Sequence, residues 1–226
     1  MRAAVVLALL AAAAAPVAER DPANPTCPKS LGFATYPEMR LSVTRRPTGG
    51  KVLVAEGTVD ETVPLRLEAL LKREGAIDEI WLRSPGGNAE AGNAAGRIIR
   101  KAGIPTRIPS GWACFSACNF LFMGGPIRAV EPGGQFVVHM FTFTGDQAVK
   151  QGVAKGGDKA LGVVGEVEQG SALLATDDND FLIRMGVSRK LLTEVMYAQK
   201  AVGGQGDKRC LTQDEVFRYN VANLRE

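Results

Sequence analysis

Residues 77–109 read IDEIWLRSPGGNAEAGNAAGRIIRKAGIPTRIP. Ile77 to Arg83 is a short run with isoleucine and tryptophan among its residues, which predicts a strand. It runs straight into the turn Ser84-Pro85-Gly86-Gly87-Asn88. From Ala89 to Lys101 the apolar positions Ala91, Ala94, Ala95, Ile98 and Ile99 recur at helical spacing. Most of that stripe is small, so the helix can lie close on a sheet. Gly103 and Pro105 stop it, and Thr106 to Pro109 reads as another short strand. Strand, turn, helix, strand is a βαβ unit, and repeated units of this kind predict an α/β fold with a mostly parallel sheet and flanking helices.

The same grammar extends both ways. Upstream, KVLVAE at 51–56 is a strand candidate and 57–61 a turn. Thr62 can cap a following helix that carries Pro64 in its first turn, where no backbone donor is required. Leu65, Leu67, Leu70 and Leu71 line that helix, and Gly75 ends it. Downstream, GWACFSACNFLFMGGPIRAVEPGGQFVVH spans 111–139. Ser116 lies among small residues that lead into an apolar helix over 117–123, which Gly124-Gly125-Pro126 stops. The strand Phe136-Val137-Val138 then delivers His139, the one histidine of the chain.

In parallel sheets, ligands gather at the carboxyl ends of the strands. Gly86-Gly87, Ser116 and His139 each follow a strand candidate, so the topology can bring them to one edge. A serine hydroxyl becomes nucleophilic when a base takes its proton, and an imidazole titrating near neutral suits that task. Acyl transfer also needs two donors for the oxyanion. A helix opening at Ser116 would aim the Ala117 amide at the site, and Gly87 would offer a second amide from its turn.

Composition narrows the field. The 226 residues carry a formal charge of +3, with 46% hydrophobic and 23% charged residues, enough to bury a substantial core. No basic run is interleaved with aromatics, which argues against a nucleic-acid partner. Met1-Arg2 followed by the apolar run Ala3 to Ala15 reads as a secretory signal peptide over 1–18, with cleavage between Ala14 and Ala18. No other stretch is apolar enough to span a bilayer, so the mature protein is expected to be exported, with no stable membrane span. Residues 19–37, with Pro22, Pro25 and Pro28, read as an extended arm, and 38–226 as one α/β domain. Four cysteines fit an oxidising compartment. Of the three possible pairings, Cys27 with Cys210 would tie the two ends, and Cys114 with Cys118 would form a local bridge or a thiol pair. One histidine and no paired CxxC argue against a metal site. Nothing suggests a cofactor.

After His139 the pattern weakens. Residues 142–170 hold seven glycines and three lysines, which predicts a mobile or partner-dependent segment with a weak helix over 160–175. Separate helices are expected over 180–185 and 189–198, and Thr212 with Glu215 forms a capping box for a last helix.

Four stretches carry a family resemblance. SPGGNAEAG at 84–92, GWACFSACNFLF at 111–122 and QFVVHMF at 135–141 resemble, in the same order, three motifs of the Clp protease proteolytic subunit, within the wider ClpP/crotonase superfamily. KVLVAEGTVDE at 51–61 resembles that family's first strand and turn. The likeness spans residues 40–140. It implies a ClpP/crotonase-like fold of repeated ββα units, with Ser116 as nucleophile, His139 as base, and Gly87 and Ala117 as oxyanion donors. Combined with the leader and the cysteines, it implies a periplasmic or secreted serine peptidase acting on peptide or protein substrates. A homo-oligomer is expected, without the ATPase partner that an exported protein would not meet. The family's acidic third member should fall at Val195 to Tyr197, where there is no carboxylate. Glu194 is adjacent and is the candidate, with Asp178 and Asp180 upstream. The 142–170 segment falls where the family has its handle helix, and its composition argues against carrying over a double-ring assembly. Two alternatives stand beside this reading. One is a Ser–Lys dyad using Lys150, Lys155 or Lys159, and the other is a binding or assembly protein in which Ser116 and His139 are remnants.

Overall fold

The computed structural model describes residues 19–22, 24–46, 49–140, 143, 146–196 and 208–225. The leader expected over 1–18 lies outside them. The strands are β1 (Arg20–Asp21), β2 (Asn24–Pro28), β3 (Arg40–Arg45), β4 (Lys51–Glu56), β5 (Glu79–Arg83), β6 (Thr106–Ile108), β7 (Ala113–Phe115), β8 (Arg128–Val130), β9 (Gln135–Val138) and β10 (Arg209–Cys210). The helices are α1 (Val63–Glu74), α2 (Ala89–Ala102), α3 (Cys118–Gly124), α4 (Gln147–Ala154), α5 (Gly157–Met185) and α6 (Gln213–Arg218), with a π-helical turn at Leu191–Met196.

The main sheet runs β3-β4-β5-β6-β8, and all its pairings are parallel except β3 with β4. A second sheet, β10-β9-β7, pairs β7 with β9 in parallel, Cys114 opposite Phe136. This is the mixed α/β architecture read from 77–109. Leu53, Leu82, Ile99, Phe122, Phe136 and Phe181 are among the side chains that fill one continuous core.

Local chemistry sets the boundaries. Asn88 Oδ1 accepts from the Ala91 amide at 2.8 Å and caps α2. Thr62 does not cap α1 as expected: its hydroxyl donates to Asp60 Oδ1 and accepts from Arg66 Nε at 2.8 Å. At α6 the capping box of Thr212 and Glu215 is present. The small residues of α2 set how closely α3 can approach. A Cβ on Gly92 would stand 2.5 Å from the Ala117 carbonyl oxygen, and one on Gly96 would stand 2.3 Å from that of Phe120. Glycine therefore lets α2 and α3 touch backbone to backbone, which fixes the start of α3 against the turn that precedes α2.

The glycine-rich segment departs from expectation. It forms α4 and then a single 29-residue α5, about 43 Å long, in place of a mobile stretch and a separate helix from 180. Its far end is docked, with Phe181, Leu182 and Met185 buried in the core. A helix nucleated on packed residues propagates through residues of poor propensity more readily than it starts on them. Gly152 adds a reason, since a Cβ there would stand 2.5 Å from Val163 Cγ2, so α4 and α5 close on each other through it. Leu161 and Leu173 on α5 are each 70% exposed.

The arm of residues 19–37 begins as the hairpin β1–β2. The Cys27–Cys210 disulfide, with an S–S distance of 2.03 Å, ties it to β10.

Candidate active site

Ser116 stands between β7 and α3 with φ at 56°, one of two non-glycine residues with positive φ among the described residues. A side chain in this region costs about 1–2 kcal/mol, so neighbours must hold it. The Phe115 amide donates to the Ser84 carbonyl at 3.1 Å, the Asn119 amide donates to the Ser116 carbonyl at 2.9 Å, and the Cys114–Cys118 disulfide staples the two sides of the turn. The result is a tight turn from β7 into α3 with Ser116 at its corner.

His139 follows β9, the parallel neighbour of β7. Its Nε2 lies 2.8 Å from Ser116 Oγ. Burial lowers its pKa from the usual 6.5, and a hydrogen bond to the Met140 backbone offsets only part of that effect. The ring is therefore neutral at pH 7. With its proton on the nitrogen away from the serine, Nε2 offers a lone pair to the hydroxyl. Phe115 packs against the imidazole with ring centroids 4.7 Å apart.

The turn 84–88 closes the third side. A Cβ on Gly86 would stand 2.6 Å from Ser116 Cβ and 3.0 Å from the Ala117 nitrogen. Gly86 thus lies directly on the elbow, a role that spacing alone does not reveal. Gly87 has φ at 148°, and a Cβ there would stand 2.2 Å from the Val59 carbonyl oxygen. Val59 N donates to the Gly86 carbonyl and Asn88 N to the Val59 carbonyl, so the bonds that hold this turn do not use the Gly87 amide. Among the described residues, neither the Gly87 nor the Ala117 amide has a hydrogen-bond acceptor.

The candidate acid, Glu194, is bound elsewhere. Glu194 is half exposed, accepts from the Tyr219 hydroxyl at 3.3 Å, and pairs with Lys190 at 3.3 Å. Among the described residues no carboxylate is hydrogen-bonded to His139. Lys150, Lys155 and Lys159 are exposed on the hairpin of α4 and α5. Asp180 is held by Arg184 and Arg97, which keep its carboxyl below the usual range. Asp178, by contrast, lines the same cavity as Ser116 and His139. Leu174, Asp178 and Leu182 share one face of α5, a spacing that stays hidden when the sequence is divided into two helices there. Among the described residues no cluster could hold a metal ion, and no helix is long and apolar enough to cross a membrane.

The sequence matches no family model and no curated protein. Among solved structures, it is similar to a ClpP1 mutant from Listeria monocytogenes at a TM-score of 0.53 and 14% identity, over 76% of this chain and 88% of that one. A mutant of the 1510-N membrane-bound stomatin-specific protease is similar at a TM-score of 0.47 and 14% identity, over 76% and 75% of the two chains. The first likeness shows a ClpP-like fold.

Proposed function

We propose that this chain is an exported ClpP-like serine hydrolase, a peptidase, in which Ser116 is the nucleophile and His139 the general base. The observation that carries the reading is the 2.8 Å contact between Ser116 Oγ and a neutral His139 ring. His139 takes the hydroxyl proton as Ser116 attacks a carbonyl carbon. The acceptor-free amides of Gly87 and Ala117 stabilise the oxygen as it becomes negative. The protonated imidazole then hands its proton to the departing amine, and water repeats the sequence on the acyl-enzyme. Two disulfides suit an oxidising compartment, in keeping with the leader read over 1–18. The exposed leucines of α5 suit a homo-oligomer.

A fluorophosphonate probe tests this on the purified protein. Labelling of the wild type should be lost in Ser116→Ala and fall at least about a hundredfold in His139→Ala. A second reading, a binding or assembly protein on the same fold, is favoured by the lack, among the described residues, of a carboxylate on His139. It predicts no labelling of the wild type in either oxidised or reduced samples. Labelling that survives His139→Ala intact would return attention to the lysines.

A further inference from the structure

The cavity beside Ser116 is walled by apolar side chains, among them Phe120, Met123, Leu174, Leu182 and Leu192. Besides Ser116 and His139, two polar residues interrupt that wall, and each carries an oxygen with no hydrogen-bond partner among the described residues. Asn119 is 5% exposed and donates from Nδ2 to the Val137 carbonyl at 2.8 Å, which fixes its amide and leaves Oδ1 buried and unbonded. Asp178 Oδ1 is likewise buried with no hydrogen-bond partner among the described residues. A buried acceptor left unpaired costs about 1–3 kcal/mol, so two in one cavity are unusual unless something brings donors to them. Ser116, His139 and the two residues that carry these acceptors line one cavity.

The geometry points to Asp178, with Asn119, as the specificity determinant of this cavity: it takes a substrate side chain with a long apolar stem and a cationic tip, lysine or arginine, on the acyl side of the bond that Ser116 attacks. The inference rests on the peptidase reading above. The stem would cover the leucines and Phe120, and the tip would donate to Asp178 and Asn119. An apolar slot with one carboxylate at its end is a known physical solution for selecting basic residues. Burial, with Asp177 next to it, pushes the Asp178 carboxyl up to about 7. It is therefore readily protonated while the cavity is empty, and an arriving cation would favour its ionised form. An uncharged residue of the same stem gains the apolar contacts but leaves both oxygens unpaired, which is where discrimination is largest.

The test uses matched peptidyl diphenyl phosphonates that differ at one position, with lysine in one and norleucine in the other, against the full-length purified protein. Wild type should be labelled at Ser116 at least about tenfold faster by the lysine probe, the ratio expected for one charged hydrogen bond. In Asp178→Leu the ratio should fall to about one or invert, with circular dichroism confirming that the variant is folded. Because the ratio is taken within each protein, a general loss of reactivity does not move it. Equal rates for the two probes in wild type, with fluorophosphonate labelling intact, would overturn this inference alone. A lysine preference that survives in Asp178→Leu would overturn the assignment to Asp178. No labelling by any probe would overturn this inference and the peptidase reading together.

Discussion

Ser116 and Asp178 show what single residues gain from their surroundings. Ser116 is an ordinary serine in sequence, and its elbow arises from a positive φ held by Ser84, Asn119 and the Cys114–Cys118 staple. Asp178 is one of three aspartates in four residues, and only its place in the fold separates it from the other two. Its titration gives a sign-definite prediction. The unfolded chain ionises this carboxyl near its ordinary 3.8, and the folded chain resists until about 7. Its contribution to stability is therefore fully present below about 3.8, is lost as pH rises from there toward 7, and is constant above. Asp178→Asn carries no such charge. Thermal unfolding at pH 4, 5.5, 7 and 8 should show the melting temperature of the variant rising relative to wild type between pH 4 and 7, with no further change by pH 8. A difference that stays flat across the range would mean that the group is not buried as described.

At the scale of elements, periodicity and punctuation make most of the framework legible. The strand, turn and helix over 77–101, the helix after Ser116 and the capping box at Thr212 can all be read because each rests on local chemistry. Elements defined by distant partners are harder. β7 and β8 are three residues each and gain strand character only from β9 and β6 beside them. The long α5 is illegible because glycines mask its periodicity, while what holds it is packing at one end. That account can be measured. A Cβ at Gly162 or Gly165 would meet nothing within 4 Å, so alanine there should stabilise the exposed half of α5 by about 0.5–1 kcal/mol per site. Amide hydrogen exchange over 157–173 should slow about two- to fivefold for each substitution. Gly152→Ala should do the reverse, because its Cβ would strike Val163. For the candidate site, Ser116, His139, Gly87 and Ala117 can be picked out from spacing and resemblance, and the structure places Ser116 beside His139 and the Gly86-Gly87 turn against the Ser116 elbow. The acid cannot be picked out, because Glu194 is occupied by Tyr219 and Lys190 and, among the described residues, no carboxylate takes its place on His139.

At the scale of the molecule, one buried side chain gathers the far ends of several elements. Arg128 is 1% exposed and donates to the carbonyls of Val221 at 2.7 Å, Gly125 at 2.8 Å and Asn220 at 2.8 Å. These carbonyls lie just after α3 and in the C-terminal tail. Burial and the nearby Arg100 lower its pKa to about 10, so it stays charged. Arg128→Met keeps the stem and strands the carbonyls, and should lower stability by about 3 kcal/mol, read as a melting temperature roughly 10 °C lower. The Cys27–Cys210 bond works at the same scale by other means. It joins residues 183 apart in sequence, and in the chain-entropy account a loop of that size stabilises the fold by about 5 kcal/mol. It also makes residues 27–210 a closed loop. A protease that cuts once between residues 28 and 209, at the exposed hairpin for instance, releases nothing: the two pieces stay joined and can re-anneal on the same core. Only a second cut inside the loop, or a reductant, turns a nick into a loss.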